Sequence, residues 1–176
     1  MKNDVVSERY ALAIYDIAKQ EKNILKIYEN LNEIAFHINK NLDFKTLMTH
    51  PLISDKEKKM AINKLYSKYF EPTTVNMINY LIDKKRIVYI DRIMIEYLKY
   101  YHLENNIIEV EAIFAIKPSK EQEKTLIDKL KKKYSKDVKL KIKVDESILA
   151  GGILKIGDEI IDGSLKRQFE ILKSKI

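Results

Sequence analysis

The sequence predicts an α+β protein: an N-terminal six-helix bundle, then a small two-layer α/β domain with a short mixed sheet and two helices. Three observations predict it. Apolar residues recur with the helical period of 3.6 as far as Glu104 and with the strand period of 2 from Ile107 onward. All four glycines, Gly151, Gly152, Gly157 and Gly163, fall between positions 150 and 164, so a single stretch demands unusual backbone. Two serines, Ser54 and Ser119, stand three residues ahead of Glu57 and Gln122, the spacing of a capping box at a helix start. The change of period places a domain boundary at 104–107, dividing the chain into 1–105 and 106–176.

Taken in order, Val5, Val6, Tyr10, Ala11, Ala13, Ile14, Ile17 and Ala18 trace a wide apolar face on a first helix, with Asn3 or Asp4 as its cap. Ile24, Leu25, Ile27, Tyr28, Leu31, Ile34, Ala35 and Ile38 repeat the pattern over 24–38. A short turn of helix around Phe44–Met48 stops at His50-Pro51, and the Ser54 box starts a helix that runs to about Tyr69. Pro72 breaks the pattern before helices at 73–85 and 88–104. Six helical segments with short connections describe a compact bundle.

Beyond Asn105-Asn106, Ile108, Val110, Ala112, Phe114 and Ile116 alternate with Ile107, Glu109, Glu111, Ile113 and Ala115, which is a strand ended by Pro118-Ser119. The Ser119 box opens a helix to about Lys133. Val138, Leu140, Ile142 and Val144 then alternate with Lys139, Lys141 and Lys143, giving a strand with one buried and one lysine-coated face. Ile153–Ile156 and Glu159–Ile161 read as two short strands, and Gly157-Asp158 between them has hairpin-turn chemistry. Asp162-Gly163-Ser164 opens a last helix, with Asp162 capping it or bonding the hairpin backbone.

Chemistry finds little to work with. Gly152 and Gly157 have the spacing of a phosphate loop, but Asp158 and Glu159 stand where that motif needs Lys and Ser/Thr. With no cysteine there is no disulfide, thiol catalysis or cysteine zinc site. His37, His50 and His102 are scattered over separate elements, and no carboxylate pair has a catalytic setting, so neither enzyme, cofactor nor metal is expected. No run of 18 apolar residues spans a membrane, and the polar start Met1-Lys2-Asn3-Asp4 reads as cytoplasmic. The net charge of +7 is spread over both parts of the chain. The alternative it raises is a basic RNA-binding α+β protein, with Lys139, Lys141 and Lys143 tracking phosphates. That strand offers no aromatic for base stacking.

Recognition of another protein has more support. The line Tyr10, Ala13, Ile14, Ile17 mixes small and aromatic residues, and is either core or the wall of a groove for a partner helix.

Four motifs in order carry a family resemblance. The run Gly151-Gly152-Ile153-Leu154-Lys155-Ile156-Gly157-Asp158-Glu159-Ile160-Ile161-Asp162-Gly163-Ser164, followed by a basic helix, resembles the end of the delta subunit family of F-type ATP synthases. The mitochondrial relative in that family is the oligomycin-sensitivity-conferring protein. Arg9-Tyr10-Ala11-Leu12-Ala13-Ile14-Tyr15 resembles the family's first helix, although Arg9 stands directly before the tyrosine. His50-Pro51-Leu52-Ile53-Ser54 with Glu57-Lys58 resembles its central stretch. Asn76 to Leu81 with Lys84-Lys85-Arg86-Ile87 resembles its fifth helix. There Lys85 replaces a usual glycine and is expected to make the following turn more helical.

The resemblance implies a non-catalytic stator subunit. It would link the catalytic head to the membrane sector, so that rotation driven by proton or sodium flow is coupled to ATP synthesis at the cytoplasmic face of the inner membrane. It implies that helices one and five form a groove for the N-terminal helix of an alpha subunit, placing Tyr10, Ala13, Ile14, Asn76 and Tyr80 in that site. It also implies that the C-terminal domain meets the peripheral-stalk b subunits. Leu165, Phe169 and Leu172 are candidates for that contact, or they pack against the sheet.

Overall fold

The computed structural model describes the backbone of residues 2–165 and 167, with side chains from Val5 onward. The chain is an α+β protein of two compact units, Met1–Tyr101 and His102–Ile176. The first contains α1 (Lys2–Gln20), α2 (Ile24–Lys40), α3 (Leu42–Thr49), α4 (Asp55–Tyr66) and α5 (Pro72–Asp83). A 3₁₀ turn (Ile87–Tyr89) then leads into α6 (Ile90–Glu104), which runs on past Tyr101.

Local chemistry accounts for most helix ends. Ser54 Oγ accepts from the Glu57 amide while the Glu57 carboxylate accepts from the Ser54 amide, a complete capping box at the start of α4. Asn41 caps α3 in the same sense, its side-chain oxygen accepting from the Phe44 amide at 2.9 Å. Pro72 does not merely precede α5 but forms its first turn, where a missing N–H costs nothing. Asn3 and Asp4 lie inside α1 rather than capping it, because the helix is already formed at Lys2.

A chain without glycine before position 151 must close its helices with other residues. Lys22, Lys85, Asn106 and Ser135 each take a left-handed φ between 53 and 57°. Lys85 overturns the expectation of a more helical turn. Its amide donates to Ile82 O and the Arg86 amide to Leu81 O, the double bond of a Schellman stop, so lysine occupies the left-handed position itself. An ion pair between Lys85 and Asp55 holds the side chain there.

The core of the first unit is continuous and rich in tyrosine. Tyr97 is fully buried, packs edge-on against Tyr15 with centroids 5.2 Å apart, and donates from its hydroxyl to Ile24 O at 2.8 Å. Burial pushes its phenol well above the usual tyrosine range. Ala11, Ala18 and Tyr15 bury one side of α1 in this core, which leaves the Tyr10/Ala13 side of the helix to face elsewhere.

In the second unit β1 (Ile107–Phe114) is followed by α7 (Lys120–Tyr134), β2 (Asp137–Val144), β3 (Gly152–Ile156) and β4 (Glu159–Asp162). The sheet is mixed, in the order β2-β1-β3-β4. β1 and β2 are parallel, joined through α7, whereas β1–β3 and β3–β4 are antiparallel. Val110 and Ala112 are buried, as is Leu130 on α7, which packs against β2. The opposite face pairs glutamate on β1 with lysine on β2: Lys139 and Lys141 reach Glu109 at 3.4 and 3.5 Å, and Lys143 reaches Glu111 at 3.0 Å. β1 ends at Phe114, two residues short of the sequence expectation, and Ile116 is exposed.

The glycines behave as two classes. Gly157 (φ +57°) starts the β3–β4 turn and a Cβ there would meet nothing. Gly151 (φ +88°) lies against the Gly163 carbonyl, and a Cβ would come within 2.4 Å of that oxygen. The flat side of Gly152 receives the Phe114 ring, 2.5 Å from where a Cβ would be. Asp162 is not the cap of the last helix. Its carboxylate accepts from the Ser164 amide at 2.9 Å, and Ser164 Oγ is the cap, accepting from the Arg167 amide at 3.4 Å. Phe169 and Leu172, expected on that helix, lie outside the described residues.

Two predictions test this account. Gly151→Ala lowers the unfolding free energy by more than about 2 kcal/mol, since backbone atoms must move, while Gly157→Ala costs about 1 kcal/mol for its left-handed φ alone. Urea unfolding followed by far-UV circular dichroism distinguishes them. Ser54→Ala costs about 1 kcal/mol. The bonds from Ser54 hold the Glu57 carboxyl below its usual 4.5, so the cap is complete above that pH and fades as pH falls through the depressed value. Stability of the wild type therefore drops more steeply below pH 4.5 than that of Ser54→Ala.

Candidate functional site

Two helices distant in sequence build an apolar recess in the first unit. On α1, Tyr10, Ala13, Ile14 and Ile17 follow one another at helical spacing, and on α5, Thr73, Asn76, Met77, Tyr80 and Leu81 do the same. Together they line a trough of about 280 Å³. Its floor is core: Ile14, Met77 and Leu81 are 5, 6 and 1% exposed. Its walls are open, with Ala13, Ile17 and Asn76 exposed, Tyr10 half-buried and Tyr80 53% exposed. The Tyr10 and Tyr80 rings meet at 6.3 Å with their planes 50° apart. Lys84 Nζ lies 5.3 Å over the Tyr80 ring and Arg9 Cζ 5.9 Å over the Tyr10 ring.

All five residues expected on helices one and five therefore line the same recess, which is not sealed. The sequence reading missed Thr73, Met77 and Leu81. Their signal was present: Thr73, Met77 and Leu81 step by four along the face that Asn76 and Tyr80 share. Of the residues expected at the stalk contact, Leu165 is described, 39% exposed and tied by its amide to Ala150 O at 2.9 Å. A larger recess of about 500 Å³ opens in the second unit, where Phe114, Ile116, Leu126 and Leu149 surround Gly151.

None of the histidines is set up for catalysis. His37 shares a 2.6 Å hydrogen bond with the Tyr66 hydroxyl, whose pKa burial raises to about 12. His50 Nδ1 accepts from the Leu52 amide at the turn after α3. Burial lowers the pKa of His102, which sits 3.7 Å from Glu109. Each contact ties one helix to a neighbouring segment, and none presents a base to a nucleophile. The lysines on β2 are engaged by Glu109 and Glu111, which weakens the phosphate-tracking alternative.

Among the described residues, then, the site that stands out is a helix-width apolar recess, and the class it defines is a protein that docks other proteins. Comparison with known proteins agrees. Residues 6–176 match the family model described as ATP synthase delta (OSCP) subunit. The chain is 48% identical over 167 residues to the sodium ion specific ATP synthase subunit delta of Propionigenium modestum, covering 95% of each. It is 47% identical to the corresponding subunit of Ilyobacter tartaricus, covering 94% of each, and 41% identical to ATP synthase subunit delta of Fusobacterium nucleatum, again covering 94% of each. The fold matches a chain in the cryo-EM structure of the Toxoplasma gondii mitochondrial ATP synthase hexamer, with a TM-score of 0.73, 22% identity and 96% of each chain covered. The chain belongs to the ATP synthase delta (OSCP) subunit family. It is a structural subunit of the peripheral stalk and not an enzyme. No described helix is long and apolar enough to cross a membrane.

The division between floor and wall predicts opposite outcomes for two aspartates. Met77→Asp buries a charge in the core and unfolds the first unit, whereas Tyr80→Asp changes stability by less than about 1 kcal/mol. Thermal melts of the two variants check this.

Proposed function

We propose that the trough between α1 and α5 receives the amphipathic N-terminal helix of an alpha subunit at the crown of the catalytic head. In this reading the first part of the chain (1–105) is a six-helix bundle bound to the head, and the second (106–176) holds the b subunits of the stalk, through Leu165 and the last helix. The protein then works at the cytoplasmic face of the membrane as the connector that stops the catalytic hexamer from turning with the rotor. The role is the same for proton or sodium coupling, because a stator passes on torque and not ions.

The observation that carries the reading is the open apolar trough itself, with Tyr80 half exposed on its wall. A stator contact must outlast many turnovers. With an association rate of about 10⁶ M⁻¹s⁻¹, a lifetime of many minutes requires a Kd of about 1 nM, equivalent to about −12 kcal/mol. Exposed ion pairs at about 0–1 kcal/mol each do not sum to that, whereas burying an apolar helix face at about 25 cal/mol per Å² supplies most of it.

Calorimetric titration of the full chain with a peptide of the alpha N-terminus tests the assignment. Tight binding that Tyr80→Asp abolishes, with the fold intact, supports it. Affinity unchanged by Tyr80→Asp removes α5 from the site. Binding weakens less than about fivefold between 50 and 200 mM salt, in contrast to the steep fall of a phosphate-tracking RNA contact.

A further inference from the structure

The trough has two chemically different ends. Because Tyr10 meets Tyr80 near the end of α5, the later residues Ala13, Ile14 and Ile17 line the trough beside the earlier α5 residues, so the helices run antiparallel across it. Their macrodipoles then oppose one another, and neither end acquires a sign from the backbone. Side chains decide instead. At the Tyr80 end, Lys84 and Arg9 each stand over a ring face, and the two rings touch. Asp83, the residue before Lys84, is already engaged by Lys59 at 2.6 Å, and Asp55 is engaged by Lys85. Arg9 and Lys84 themselves enter no ion pair with a described acid. At the other end, the lining is Ile17 and Thr73, and the residue one helical step beyond Ile17 is Glu21.

We propose that Arg9 and Lys84 form a carboxylate receptor at the Tyr80 end of the trough, which orients the docked helix by the acidic side chains clustered at one of its ends. A cation over an aromatic face keeps its N–H donors free, and a guanidinium binds a carboxylate through two parallel bonds. The preferred partner is an amphipathic helix with an apolar stripe and its acids at one end, and that end lies over Tyr10 and Tyr80. Direction follows the partner's charge and not its chain polarity. This rests on the trough being a helix site, and its failure is separable from the failure of that reading.

The test uses the full-length chain and three designed helical peptides with one common apolar stripe. One carries two glutamates in its first turn, one carries them in its last turn, and one carries glutamines instead. Each bears a spin label at its N-terminus, and line broadening in NMR spectra of the protein reports where that end lies. The first peptide should broaden signals near Tyr80 and the second those near Ile17 and Thr73. Both should bind about five- to tenfold more tightly than the glutamine peptide, the combined effect of two exposed pairs. Arg9→Gln with Lys84→Gln should abolish both the preference and the fixed direction without changing the melting temperature. The same direction for both acidic peptides, or a preference that survives the double substitution, overturns the proposal. Should none of the three bind, or should all bind Tyr80→Asp as well as wild type, the trough reading falls first and takes this one with it.

Discussion

The interaction on which the rest of the first unit depends is the anchoring of one side of α1 in a tyrosine core. Tyr15 packs against Tyr97, Tyr97 bonds Ile24 O, and Ala11 and Ala18 allow close approach on the same side. With that side committed, α1 cannot roll to hide Tyr10 and Ala13 as well. The neighbouring α5 is bound in turn by Thr74, Val75, Ile78 and Ile82, all buried. Each helix has more apolar surface than the core consumes, and the surplus of the two faces the same gap. Ala13 and Asn76, the small residues on the walls, leave the gap open where larger ones would close it. An exposed apolar recess costs free energy in the isolated chain, and that cost is recovered when another helix fills it.

The second unit solves a different problem, that of a small sheet with little core of its own. β1 is central, and its Val110 and Ala112 are the fully buried pair. The outer face is held by the glutamate–lysine pairs, in which Lys143 keeps the Glu111 carboxyl below its usual range. The turn region after β2 is stabilised by close backbone approach: Gly151 against Gly163, Gly152 against the Phe114 ring, and the Gly163 amide donating to Gly152 O at 3.0 Å. That is why the glycines cluster. Gly151, Gly152 and Gly163 are placed where chain segments touch and Gly157 serves the hairpin turn, while the helix ends elsewhere are closed by Lys22, Lys85, Asn106 and Ser135 at some conformational cost.

Sequence alone was most informative where the physics is local. Both capping boxes and the α+β class depend on contacts within a few residues or on simple periodicity, and each is present. The face shared by Asn76 and Tyr80 was legible for the same reason. What no periodicity could show is whether α1 and α5 close over that face, because this depends on the packing of two helices distant in sequence. Thr73, Met77 and Leu81 were missed although their spacing was readable. Lys85 was misjudged because losing a glycine was equated with extending a helix, while the stop is made by backbone bonds, and the lysine amide donates one of them as a glycine amide would. The 3₁₀ turn at Ile87–Tyr89 is too short for a period of 3 to be told from 3.6.

The most direct test of an open trough that holds an alpha-subunit helix is site-directed cross-linking in the assembled synthase. The chain has no cysteine, so Asn76→Cys introduces a single thiol on the trough wall, to be paired with one placed in the apolar stripe of the alpha N-terminal helix. A thiol at Leu52, which is 87% exposed and lines no part of the trough, serves as reference. The structure predicts a disulfide-linked alpha–delta product from position 76 and none from position 52. Equal yields from both, or no product from position 76 in fully assembled complexes, would contradict it.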